Sequence, residues 1–174
     1  MASTIAYEDA VDLLDGDHKL VQKLFIQYQT LHEFGAPADD RQKLAERICA
    51  ALSIHTQIEE EIFYPAVREA TGDEALLDHA EQEHQEAKDL IARIQGMSPT
   101  DDEYDGCVQQ LAQAIMSHVM EERERVFLEA RYSALDLRGL AVTLYERKQE
   151  LKSAAGGMPE LPVEKTPEQI EEQA

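Results

Sequence analysis

The chain repeats itself. A shift of 66 residues lays Asp17, His18, Leu24 and Phe25 on Glu83, His84, Leu90 and Ile91. A shift of 63 residues lays His55, Glu59, Glu61 and Arg68 on His118, Glu122, Glu124 and Arg131. Whatever fold forms must therefore be built from two copies of one unit, each supplying a lone His and then His-x-x-x-Glu. The apolar positions say what the unit is. Val21, Leu24, Phe25 and Tyr28 recur at helical spacing, as do Leu44, Ile48, Leu52 and Ile58, then Leu76, Leu77, Leu90, Ile91 and Ile94, then Leu111, Ile115, Val119, Val126 and Phe127. The unit is a pair of helices.

Gly and Pro separate these stripes. Gly35-Ala36-Pro37, Thr71-Gly72-Asp73 and Gly96-Met97-Ser98-Pro99 end the first three segments. The spacing predicts four helices over 6–34, 40–70, 74–95 and 101–131, and a short fifth over 134–153 with Leu137, Leu140, Leu144 and Leu151 on its apolar face. Gly16 is expected to bend or split the first helix, and Pro65 to kink the second or end it early. Gly156-Gly157-Met158-Pro159 ends helical potential. The expected fold is all-α: an up-down-up-down antiparallel four-helix bundle with a short fifth helix, over residues 1–153. A flexible, disordered acidic C-terminal tail is expected over 154–174.

Charge narrows the function. With 16 Lys+Arg against 36 Asp+Glu the formal charge is −20, which repels phosphate backbones and anionic membranes. No nucleic acid and no membrane partner is expected. Cys49 and Cys107 make no disulfide framework and read as small buried residues; with no signal-peptide pattern, a cytoplasmic setting is expected.

Residues four apart on a helix share a face, so His55 and Glu59 point one way, as do His118 and Glu122. Helix lengths at about 1.5 Å per residue bring His18 level with His55, and Glu59 level with His84; His84 and His118 match more loosely, about 17 Å against about 25 Å, and meet at that depth if the third helix is longer or the fourth starts near Tyr104. Four His and two Glu in an apolar interior need a partner, because a buried unpaired carboxylate costs several kcal/mol. A metal supplies one, and imidazole with carboxylate suits iron, manganese or zinc. The symmetric set His18, His55, Glu59, His84, His118 and Glu122 suits two metals bridged by the two carboxylates. For two six-coordinate ions, about two positions would then remain for an outside ligand beyond a solvent bridge.

The other candidates are weaker. Glu121, three residues after His118, is the rival to Glu122; Glu60 is an outer or solvated neighbour of Glu59. His79 lies five before His84, about 140° around the helix, and reads as a surface residue. His32 falls about 21 Å along the helix from His18, outside the site. Phe63 and Tyr64 read as core or pocket wall. Asp17 and Glu83 adjoin His18 and His84 in sequence; they are solvated, or else they orient imidazoles on another helix.

These motifs resemble the hemerythrin-like, HHE cation-binding proteins. The resemblance rests on Asp9-Ala10-Val11-Asp12-Leu13-Leu14 leading to Asp17-His18, on His55 through Glu59-Glu60-Glu61 to Phe63-Tyr64-Pro65, on Glu83-His84, and on His118 through Glu122. It covers roughly residues 6–131. It implies a centre of two non-heme iron ions with an oxo or hydroxo bridge. It also implies binding of, or reaction with, O2, peroxide or nitric oxide, in sensing, detoxification or iron handling. The family's oxygen carriers have a His pair four apart on the third helix; here Ala80 and Lys88 stand four to either side of His84. The carriers also end in His-x-x-x-x-Asp, where this chain has Arg123 and the nearer Glu122 takes the role. Reversible O2 carriage is therefore not expected, and Ala80 is expected to leave space. A ferritin-like iron oxidase or storage protein would need Glu-x-x-His on two helices, and only Glu81-x-x-His84 matches. A metal-free interaction bundle is the other alternative. The chain is expected to be a monomer or homodimer, and no hydrolase or transferase constellation is present.

Overall fold

The computed structural model describes residues 7–156. The expected helix start at residue 6 and the tail from 157 onward lie outside the described residues. Every regular element described is helical: α1 (Ala10–Glu33), α2 (Ala38–Ile58), α3 (Tyr64–Thr71), α4 (Glu74–Gln95), α5 (Tyr104–Glu121), α6 (Phe127–Tyr132) and α7 (Leu137–Ala154). Five-residue π turns, Glu59–Phe63 and Glu122–Val126, join α2 to α3 and α5 to α6. The bundle thus has four rods, α1, α2–α3, α4 and α5–α6, and α7 lies across α1 and α2.

Local chemistry sets the ends. Asp9, Asp73 and Asp136 each accept a backbone N–H of the turn they precede, from Asp12, Leu76 and Gly139. Gly72 closes the second rod at φ 71°, a left-handed cap that only glycine adopts readily, with its N–H on Arg68 O.

Two expectations are corrected. Gly16 does not split α1, which runs unbroken through it; a Cβ there would lie 3.1 Å from the Tyr7 ring, so the glycine lets that ring approach. Pro65 does not end the second rod. The π turn before it carries the Tyr64 N–H five residues back to Glu59 O, and the helix continues to Thr71. Proline is not the cause of the π turn, because Phe127 N–H reaches Glu122 O in the same way in the repeat, where no proline follows. Each π turn begins at the Glu of His-x-x-x-Glu, the kind of place where such turns gather at functional sites.

The core is divided. One apolar cluster contains Val21, Leu52, Ala87 and Val119; the other contains Leu14, Ile58, Ala80 and Val126. The expected ligands sit where the two clusters meet: His18 between Leu14 and Val21, His55 and Glu59 around Ile58, His84 between Ala80 and Ala87, and His118 and Glu122 around Val119. A polar layer lies between two dry ones.

Candidate metal centre

All six expected ligands meet in that layer. Their ligating atoms form two buried quartets, His18–His55–Glu59–Glu122 and Glu59–His84–His118–Glu122, each within 4.8 Å. Both quartets share Glu59 and Glu122. His18 Nε2 and His55 Nε2 are 3.2 Å apart, and His84 Nε2 and His118 Nε2 are 3.1 Å apart. The two ring pairs cross at 65° in both halves, so the sequence repeat is also a repeat of site geometry. Glu122 spans the halves, with Oε1 3.0 Å from His18 Nε2 and Oε2 3.3 Å from His118 Nε2.

The layer has the marks of an ion site. Two nitrogens at metal–nitrogen distances of about 2.1 Å and roughly right-angled on one ion stand about 3 Å apart, which matches both His pairs. Glu59 is 0% exposed, and neither of its oxygens makes a hydrogen bond among the described residues, although His55 Nε2 lies against Oε1. Glu122 Oε1 likewise has no hydrogen bond, although His18 Nε2 lies 3.0 Å from it. Buried carboxylate oxygens in that state call for a cation.

The outer nitrogens explain the orientation of each ring. His18 Nδ1 meets Asp15 at 3.2 Å, His55 Nδ1 meets Asp17 at 3.0 Å, and His118 Nδ1 meets Glu83 at 3.1 Å. His84 Nδ1 faces Glu60 at 3.5 Å. Each carboxylate leans in turn on a base: Asp15 on Arg123 at 2.6 Å, Asp17 on Lys148, Glu60 on Lys88 at 2.6 Å, and Glu83 on His79 at 3.7 Å. This arrangement fixes the tautomer that turns Nε2 inward. The contacts with His18 and Arg123 hold the Asp15 carboxyl down at about 2 against the opposing effect of burial. Asp17 is held well below the usual range: burial alone would raise it, but Lys148 and His55 prevail. Burial also acts to lower His118, yet Glu122 and Glu83 push it up to about 10, so an incoming ion must displace a proton there.

Asp17 is therefore buried, and Glu83 is only partly exposed. Each orients the imidazole of the neighbouring rod, the alternative that sequence left open. Tyr64 is more than pocket wall. Its hydroxyl donates to Glu122 and lies 3.1 Å from His84 Nε2, and burial followed by the Glu122 and Glu59 charges raises its pKa well above the ordinary value. Asp15 and Lys148 were not found from sequence. Asp15 sits one turn before His18, on its face, and that spacing could have revealed it. Nothing in the sequence links Lys148 to Asp17. His79 and Glu121 lie outside the inner six, and His32 pairs with Asp105 at 3.4 Å, away from the site. Ala80 lines a narrow crevice with no room for a water molecule, not an open space. Cys49 and Cys107 are free and buried, and burial pushes the Cys49 thiol up to about 11.

Residues 9–130 match the Hemerythrin HHE cation binding domain. The chain belongs to that family. Its structure is similar to a crystal structure of a Hemerythrin HHE cation binding domain-containing protein from Mycobacterium kansasii, with a TM-score of 0.71 and 20% identity over 84% of this chain and 89% of that one. At that identity the likeness concerns the fold. A Nostoc protein named DNA nickase is 33% identical over 123 residues, which make up 69% of this chain. The hemerythrin-like chain spans about a third of the Nostoc protein's length. No described helix is long and apolar enough to cross a membrane.

Proposed function

We propose that this hemerythrin-like protein holds two non-heme iron ions on His18, His55, Glu59, His84, His118 and Glu122, and that it binds or reacts with O2, peroxide or nitric oxide in sensing, detoxification or iron handling. The observation that carries the reading is the pair of buried quartets sharing Glu59 and Glu122. When bound, reduced iron supplies the electrons that such ligands accept.

The chain's own residues do the rest. Asp15, Asp17 and Glu83 hold the imidazoles of His18, His55 and His118 with Nε2 inward, and Glu60 faces that of His84. Tyr64 keeps a proton on its hydroxyl and places it at Glu122. The apolar clusters above and below exclude water from the layer. The ferritin-like alternative loses support, since Glu81 pairs with Arg68 at 3.3 Å and is absent from both quartets. DNA cleavage is not carried over from the Nostoc relative: the inner ligands are buried from a phosphodiester, and the charge of −20 opposes one. Two free cysteines favour a cytoplasmic setting.

The test is anaerobic loading with ferrous iron, followed by metal analysis and an optical spectrum on exposure to air. About two irons per chain with new near-ultraviolet bands support the reading. No stoichiometric metal in the parent, or a full complement in both His55→Ala and Glu59→Ala, overturns it.

A further inference from the structure

Outside the inner layer a third group of ligating side chains converges. His79 and Glu83 lie one turn apart on α4, and Glu121 comes from the end of α5. His79 Nε2 is 3.0 Å from Glu121 Oε2 and 3.7 Å from Glu83 Oε1, and the three ligating atoms lie within 4.8 Å of one another. A surface ion pair needs one carboxylate. Here two carboxylates from two rods turn to one imidazole nitrogen, while the far oxygen of Glu121 faces the exposed Arg125 at 3.4 Å.

The group is joined to the centre. A narrow crevice is lined by His79, Glu83 and Glu121 together with His118 and Glu122. Side-chain exposure falls along it, from 51% at His79 through 29% at Glu121 and 17% at Glu83 to 0% at Glu122. Glu122, among the crevice's inner residues, turns Oε2 to His118 at 3.3 Å and is fully buried. Glu83 is the shared wall: its Oε1 meets His118 Nδ1 at 3.1 Å and also faces His79. The crevice has no room for a water molecule, so passage of an ion requires a lining side chain to swing.

We propose that His79, Glu83 and Glu121 form an outer site for a divalent first-row cation, which takes the ion from solvent and hands it to the inner layer. One imidazole and two carboxylates suit Mn2+, Fe2+ or Zn2+. Three partly exposed protein ligands bind more weakly than the buried quartets, as delivery requires. The hand-over rests on the inner pair proposed above; the outer site does not.

The test is calorimetric titration of the metal-free full chain with Zn2+, which brings no redox chemistry. One weak equivalent is expected beyond the tight class. His79→Ala combined with Glu121→Gln should weaken it by at least about 10- to 100-fold, the loss typical of even an outer partner of a metal site. The tight stoichiometry should survive, and its uptake rate under limiting Zn2+ should fall several-fold. His55→Ala with Glu59→Ala should do the reverse, removing tight binding and sparing the weak equivalent. A parent with the weak equivalent but no tight class overturns the inner pair and the hand-over while supporting the outer site. The outer site is overturned if the parent has no weak equivalent, or if the His79 and Glu121 double variant keeps it unchanged with native helicity. An unaltered uptake rate in that variant overturns the delivery role.

Discussion

Tyr64 and Phe127 occupy equivalent places 63 residues apart, and only one of them has a hydroxyl. Tyr64 stacks on His84 with ring centres 5.2 Å apart, and Phe127 stacks on His18 at 5.6 Å. The hydroxyl donates to Glu122. Phe127 has nothing to offer Glu59, whose oxygens make no hydrogen bond. The two halves of the site are matched in ligands and unmatched here, so two bound ions would not be equivalent.

Tyr64→Phe should make the halves alike. Metal stoichiometry should be unchanged, because the six ligands remain. The metal-free protein should lose about 1.5–3 kcal/mol, the usual worth of a hydrogen bond to a charged group. Urea unfolding of the metal-free protein and the spectrum of the loaded one check this. If neither changes, the Tyr64–Glu122 contact has no energetic role.

Lys148 ties the fifth helix to the site. It is buried, pairs with the buried Asp17, and comes from beyond the segment that matches the family. Lys148→Met should destabilise the fold by about 3–5 kcal/mol, since it leaves Asp17 charged and short of a partner. In an Asp17→Asn background the same substitution should cost much less. A double-mutant cycle by chemical denaturation measures the difference, and equal costs in both backgrounds would show that the pair is not coupled.

The helix count, the repeat and the convergence of the six His and Glu side chains were legible because each rests on local spacing within a helix. His55 and Glu59 share a face whatever surrounds them. What sequence left open was contact between rods. Asp17 adjoins His18 in the chain but serves His55, and Lys148 reaches Asp17 only because α7 folds back over α1. Tyr64 read as core because an aromatic at helical spacing usually is, and its hydroxyl gains meaning only once Glu122 arrives from another rod. The π turns were invisible as well: Pro65 drew attention to the second rod, but the same turn forms at Glu122 without a proline.

At the other end of the bundle, Asp105 accepts from Tyr28 at 2.6 Å and pairs with Arg41. Burial raises its pKa, but these two partners outweigh it and set it below the ordinary 3.8. A carboxylate lowered on folding stabilises fully above its unfolded value, and that contribution fades as the pH falls towards the folded one. Asp105→Asn should therefore cost about 1.5–3 kcal/mol at neutral pH and progressively less below the ordinary carboxylate value. Denaturation midpoints of parent and variant across acid pH test the sign. A gap that widened on acidification would refute it.

The Nostoc relative's name sets a further test. With Mg2+ or Mn2+ present, supercoiled plasmid should stay supercoiled in the presence of this chain, because its surplus of acidic groups repels the backbone and its inner ligands are out of reach. Relaxed circles that depended on intact Glu59 would contradict both arguments.

The most decisive stability prediction concerns Glu59→Gln, because its cost should depend on whether metal is bound. In the metal-free protein Glu59 is a fully buried carboxyl whose oxygens make no hydrogen bond, although His55 Nε2 lies against Oε1, and His55 retains Asp17 when Glu59 is replaced. Neutralising it should cost little or nothing there, for the desolvation penalty disappears with the charge. In the loaded protein Glu59 would help to hold the metal, and a ligand at a thousand times its dissociation constant stabilises by about 4 kcal/mol. The parent should gain that increment on loading and lose it to a chelator, and the variant should show neither change. Thermal unfolding with and without metal makes the comparison. An equal loss of stability in both states would mean that Glu59 is a structural carboxylate and not a ligand.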